Sequence, residues 1–341
     1  MYYTKKGSVL CTSVKDGKLL YRKENGMEKK YIDVDAVPGE RWFPKETTFE
    51  EDINEYWGDW GVSSEVDTLK AVLLRRPGKE IEKFDANEVR FSDEPLDIEL
   101  MRKQHDAVAD IYREHGVKVF YVEEQREDRP NAIYCRDLMF MTPEGAIITR
   151  PGMAARRGEE RYVAQALAKL GVPILRTIVG DGLFEGANAM WIDRKTVILS
   201  TGSRCNRSGY EQVEFELKRM GVTNVLHMPQ PYSNIHIDGL MNAISNDQIL
   251  FHAGQIPYDI VMFLKKKGID MIEAPSRTEV RETGGINFVA LEPGKIVMPT
   301  GNPRTQELLE KKGVDIITVD ISEIKKGRGM LHCMTAFLKR G

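Results

Sequence analysis

Five times this chain ends an amphipathic helix on a glycine and turns at once into an apolar strand. The joints are His115-Gly116-Val117, Leu170-Gly171-Val172, Met220-Gly221-Val222, Lys267-Gly268-Ile269 and Lys312-Gly313-Val314. Their glycines stand 55, 50, 47 and 45 residues apart. A unit of that length cannot bury its own apolar face, so a chain that repeats it must stack the copies. Corresponding segments of stacked copies can converge, and after the joints the corresponding segments carry Asp137, Glu185, His236, Asn287 and Cys333.

The units share a grammar. Val163, Leu167 and Leu170, and likewise Val213, Leu217 and Met220, fall on one helical face. The glycine that follows supplies a left-handed C-cap. Hairpins are predicted at Phe140–Ile148 around Pro143-Glu144-Gly145, Met190–Leu199 around Asp193-Arg194, Ala243–Phe251 around Asn246-Asp247 and Phe288–Val297 around Glu292-Pro293-Gly294. The fifth unit has no hairpin of its own. The unassigned apolar run Leu69–Leu74 can supply its missing strand and close a ring of five, which removes open sheet edges.

Residues 1–65 stand apart as an N-terminal extension packed on a single catalytic body, 66–341. Val9 to Lys23 reads as a hairpin around Asp16-Gly17, and Thr48-Phe49-Glu50-Glu51 as a capping box opening a short helix toward Trp57. Trp42, Trp57 and Trp60 suit packing of this extension on the body, with a substrate-covering lid as the alternative.

A formal net charge of −3 gives no basic field for nucleic acid, and no run reaches the length of a membrane span. The first residues, Met1-Tyr2-Tyr3-Thr4-Lys5-Lys6-Gly7, lack the apolar stretch of a signal peptide. Four cysteines without a C-x-x-C pair point to a reduced thiol protein of the cytoplasm, with no cofactor and no metal expected. Gly327-x-Gly329 and Gly180-x-Gly182 lack the third glycine of a dinucleotide fingerprint.

Cys333 follows Gly327-Arg328-Gly329, where glycines let the backbone approach a neighbour closely. A lone cysteine is ordinarily a small apolar filler; this one is set apart by a histidine and acids at matching places in other units. Its neighbour His332 should point to the opposite face if the segment is extended, and reads as a structural imidazole. By the same rule His236 and Asp238 share a face, with Ile235 and Ile237 turned to the core. Glu185 and Asp137 taken singly read as salt-bridge or turn residues. Together, a thiol, an imidazole and three carboxylates suit a planar cation, because carboxylates match guanidinium in two-point hydrogen bonding. A bound cation would also favour the thiolate.

These motifs resemble the guanidino-group-modifying enzymes: arginine deiminases, dimethylarginine dimethylaminohydrolases and amidinotransferases. The resemblance covers about residues 68–341 and rests on Phe184-Glu185-Gly186-Ala187-Asn188, His236-Ile237-Asp238, Gly327 to Thr335, Asn131 to Asp137 and Arg204-Cys205-Asn206. It implies a pentein-type, five-bladed pseudo-symmetric α/β propeller of ββαβ units. It also implies Cys333 as a nucleophile forming a covalent thiouronium, His236 as acid and base, and Glu185 as binder of the guanidinium and orienter of His236. Asp137 and Asp238 would clamp the guanidinium. In arginine-specific members an asparagine and arginines hold the substrate carboxylate, and Asn131, Arg204 and Arg156 match them. Asn188, Cys205 and the Arg328 interruption depart from the family pattern.

A small-molecule guanidino substrate is therefore expected, in a protein that could be a homo-oligomer. Glu185 and the Asn131–Asp137 segment resemble the hydrolases. His236-Ile237-Asp238 and His332-Cys333-Met334-Thr335 are also close to the amidinotransferases, which is the alternative. Two other readings are a non-enzymatic member of the same propeller, as in a ribosome-binding translation factor, and a zinc site of Cys333, His236 and an acid. The first would lack the reactive residues, and the second lacks close ligand spacing.

Overall fold

The computed structural model describes residues 2–3, 8–15, 18–23, 30–33, 44–85, 89, 91–92 and 94–341, and the chain divides into two compact units, Met1–Thr48 and Phe49–Gly341. In the first, Tyr2–Tyr3, Ser8–Lys15, Lys18–Lys23 and Lys30–Asp33 form an antiparallel sheet in chain order. The expected hairpin is present as Val9 opposite Lys23 through Lys15 opposite Lys18; its turn residues, 16–17, and Trp42 lie outside the described residues. The short helix, Phe49–Tyr56, groups with the second unit, so the division falls at Thr48 and not near residue 65.

In the second unit the helix–glycine–strand grammar becomes five three-stranded sheets. Four are built alike: an antiparallel hairpin, a helix, then a third strand parallel to the second. They are Met139–Thr142, Gly145–Ile148 and Ile174–Thr177; Ala189–Asp193, Thr196–Thr201 and Asn224–Pro229; Met241–Ser245, Gln248–Phe251 and Asp270–Glu273; and Val289–Glu292, Lys295–Pro299 and Asp315–Val319. The remaining sheet is assembled from both ends of the unit. Leu69–Leu74 pairs in parallel with Lys118–Tyr121 and antiparallel with the C-terminal strand Ala336–Arg340. The strand without a hairpin is thus completed from the other end, and the ring is a five-bladed α/β propeller.

The joints explain how each helix reverses into its outer strand. All five glycines are left-handed, with φ between 77° and 89°. The next residue's N–H donates to a carbonyl five residues back, from Val117 to Tyr112 (2.9 Å) through Val314 to Leu309 (3.1 Å). That is the Schellman closure, and its apolar partner residue is buried in every copy.

Each blade offers its first strand to the hub, where neighbouring blades touch through these strands and the turns just before them. Trp191 is buried there, stacked on Phe140 at 5.8 Å with its indole N–H on the Met141 carbonyl (2.9 Å). Residues 57–67 lace the closing blade to the next: Gly61 N–H bonds Leu338 O (3.0 Å) and Val62 N–H bonds Thr142 O (3.3 Å). Trp60 packs edge-on against Phe120 at 5.8 Å, a packing role. No helix among the described residues is long and apolar enough to cross a membrane.

Two glycines separate backbone strain from steric fit. A Cβ on Gly313 (φ +83°) meets nothing within 4 Å, so Gly313→Ala should cost about 1 kcal/mol through the left-handed backbone alone. A Cβ on Gly209 would sit 1.9 Å from the Leu183 carbonyl oxygen, so Gly209→Ala should cost more although alanine favours helix. Urea unfolding of both variants checks the order.

Candidate active site

Every inner strand is entered through a turn, and the turns carry the reactive side chains. Asp137 lies in Cys135–Leu138, Glu185 immediately precedes Gly186–Asn188, His236 immediately precedes Ile237–Gly239 and Cys333 lies in the single helical turn Leu331–Met334. Because the inner strands gather at the hub, residues nearly two hundred positions apart come into contact. Close backbone approach makes this possible. A Cβ on Gly186 would fall 2.0 Å from Met139 O, and Cβ atoms on Gly327 and Gly329 would strike the Tyr134 hydroxyl at 2.2 Å and its ring at 2.4 Å.

His236 Nε2 lies 2.7 Å from Glu185 Oε2, and its Nδ1 is 3.5 Å from Asp137 Oδ1. The other Glu185 oxygen accepts from Gly152 N–H (2.9 Å) and lies 4.0 Å from Arg204 Nη1. Burial works against a charged imidazole, but Asp137 and Glu185 outweigh it and raise the His236 pKa. Burial would likewise raise Glu185; the His236 contact, with Arg156 and Arg204, holds it below the usual range instead.

Across the hub, Cys333 Sγ is 3.6 Å from Asp238 Oδ2 and 3.4 Å from Asn287 Nδ2. Burial, then the negative charges of Asp238 and Asp137, push this thiol well above its ordinary pKa. Both effects favour the thiol over the thiolate. Cys333, His236, Asp238 and Asn287 share the wall of one cavity of ≈ 220 Å³.

Not every expected residue reaches that wall. Arg156 is buried, with its guanidinium taken up by Asp137 (2.5 Å), Glu159 (2.8 Å) and the carbonyls of Asn131 and Tyr134. Asn131 donates to Gly327 O (3.0 Å), which ties its turn to the loop before Cys333. The cations that line the cavity are Arg281 and Arg328, both exposed. Arg328 alone among non-glycine described residues has a positive φ, 62°, a signal that spacing does not carry.

Two local readings change. Leu331–Met334 is a helical turn and not a strand, so His332 and Cys333 do not oppose each other; His332 Nδ1 meets the same Asp238 oxygen at 2.9 Å. Of the two isoleucines flanking His236, Ile237 enters the core while Ile235 lines the cavity, because the chain turns after His236. Asp137, Glu185 and His236 each offer a metal-ligating atom, all within 4.8 Å of one another. Cys333 is not part of that group; Arg156 binds Asp137 through Oδ2, while Oδ1 faces His236 Nδ1 at 3.5 Å.

Two measurements follow from these charges. Asp238→Asn should speed alkylation of Cys333 at pH 8, since removing a neighbouring negative charge lowers the thiol pKa and enlarges the thiolate fraction. Glu185→Gln should lower the His236 pKa, because the lost carboxylate had favoured the imidazolium; an NMR titration reads it directly.

Known proteins share this architecture. The sequence model of the eukaryotic N,N dimethylarginine dimethylhydrolase family matches residues 79–340. An N(G),N(G)-dimethylarginine dimethylaminohydrolase of Streptomyces coelicolor is 27% identical over 271 residues, covering 79% of this chain and 97% of that protein. An arginine deiminase of Borrelia recurrentis is 22% identical over 409 aligned positions, covering 84% and 99%. The inosamine-phosphate amidinotransferase structure from Streptomyces griseus superposes with a TM-score of 0.64 at 16% identity, covering 82% of this chain and 97% of that one, a likeness of fold. By the match of the family model to residues 79–340, the chain belongs to the N,N dimethylarginine dimethylhydrolase family, within the guanidino-modifying superfamily.

Proposed function

We propose that the protein is a cysteine-dependent hydrolase acting on the guanidino group of arginine or a related guanidine. The observation that carries this reading is a single cavity whose wall holds a thiol, an imidazole and a carboxylate, with two arginines beside them. A guanidinium entering it pairs with Asp238 and offsets the charge that keeps Cys333 protonated. Cys333 then releases its proton to solvent, and the thiolate attacks the guanidino carbon. His236, protonated through Asp137 and Glu185, gives its proton to the departing amine as the carbon–nitrogen bond breaks. The resulting thiouronium is then attacked by water, whose proton passes to His236. Collapse expels the Cys333 thiolate and leaves a ureido product.

Glu185 orients His236, and Asp137, braced by Arg156, adds negative charge beside the ring. Arg281 and Arg328 suit a substrate tail bearing a carboxylate, in place of the Asn131, Arg204 and Arg156 set expected from the sequence. Cys135, Cys205 and Cys333 are free thiols, which fits a reducing cytoplasmic setting.

One observation favours transfer to an amine as a second reading. An adjoining cavity of ≈ 470 Å³ shares Arg281, Arg328 and Met330 with the first, and an acceptor could enter there. Purified protein given arginine, an Nω-methylated arginine and agmatine in turn separates the two. Hydrolysis releases ammonia or an amine, and a ureido product, with no acceptor present; Cys333→Ser should lose roughly 10⁴-fold or more of that turnover. Turnover that waits for glycine or another amine reverses the assignment.

A further inference from the structure

Behind Cys333 runs a buried chain of four ionisable groups, of which the reaction above uses only Asp238. Arg136 donates to Glu65 Oε1 at 2.9 Å, Glu65 Oε2 lies 3.5 Å from His332 Nε2, and His332 Nδ1 is 2.9 Å from Asp238 Oδ2. All four side chains are buried, and burying ion pairs is an expensive way to fill a core. This chain ends on a carboxylate of the cavity wall, and that end gives it a use.

We propose that His332, held between Glu65 and Asp238, is a positioning residue that fixes the Asp238 carboxylate for the guanidinium of a bound substrate. The proposal rests on the reading of Asp238 as a guanidinium-binding group. His332 and Cys333 both meet Asp238 through Oδ2, so Oδ1 is left for whatever occupies the cavity. The His332 backbone N–H donates to Asn287 Oδ1 (2.8 Å), and its ring packs edge-on against Phe337 at 5.4 Å. Only the imidazolium donates from both nitrogens, and both here face a carboxylate. Burial opposes that charge, but Asp238 and Glu65 overcome it and raise the His332 pKa. In turn Glu65, with Arg136 and His332 outweighing its burial, is held at about 2 and stays ionised.

The test measures binding apart from turnover, as the arginine concentration that half-protects Cys333 from alkylation. His332→Leu should raise that concentration about tenfold, the worth of one hydrogen bond to a charged group. His332→Asn, whose amide can donate where Nδ1 does, should restore protection to within about threefold of the parent. In an Asp238→Asn background, His332→Leu should add less than about twofold, since it acts through Asp238. Equal protection in the leucine variant and the parent, equal loss in the asparagine and leucine variants, or additive loss with Asp238→Asn would each overturn the proposal while sparing the reading of the site. Should arginine not protect the parent, an Nω-methylated arginine or agmatine takes its place; a parent protein that none of the three protects overturns that reading and the proposal with it. Where the leucine variant does not fold, His332→Gln against His332→Asn carries the same comparison. Glutamine's amide reaches toward Glu65 and should lose protection as leucine does.

Discussion

The architecture depends on closing the ring. A three-stranded blade has an inner edge and an apolar face that water penalises, and four blades end to end would leave both exposed. Antiparallel pairing of Ala336–Arg340 with Leu69–Leu74 ties the two ends of the unit into a fifth blade. The same pairing draws the turn that carries Cys333 into the hub, against turns that carry Asp238 and Asn287. Closure and the placing of Cys333 are linked, because the turn Leu331–Met334 immediately precedes the strand that closes the ring.

That arrangement has an electrostatic cost. The hub buries Asp137, Glu185, Asp238, Glu65, His236 and His332 together, and isolated charges there would be prohibitive. The structure offsets this by pairing each acid with an imidazole or an arginine: Glu185 with His236, Asp238 with His332, Glu65 with Arg136 and Asp137 with Arg156. Cys333 has no cation of its own in this scheme. It faces Asp238 and an asparagine, so its thiolate is disfavoured.

Much of this was legible in the order of residues. Asp137, Glu185, His236, Asn287 and Cys333 could be selected because each follows a joint at the same place in its unit, and the hub brings all five turns together. The tail-binding side was less legible. Arg156 matches the expected spacing, yet it sits beside Glu159 and Asp137 in the fold, and buried acids claim it before any substrate could. Arg281 lies in the short helix Glu279–Thr283 and Arg328 just after the helical turn Ile324–Gly327, with no shared spacing, and only their common cavity relates them. His332 was read through the geometry of a strand; one helical turn rotates it to the same carboxylate as its neighbour. Glu65 fell in the segment assigned to the extension, although its carboxylate is buried among hub residues.

By itself the sequence determined the repeat, the left-handed glycine joints, the hairpins and the ring of five, because these follow from local periodicity and backbone sterics. It also determined which units carry a thiol, an imidazole or an acid. Only the tertiary structure decided which of those groups touch, which arginine is spent within the core and which faces the cavity, and how far the thiol is held from ionising. Those outcomes depend on distances between turns brought together from different blades and on the withdrawal of water around them, and neither quantity is written in any local stretch of chain.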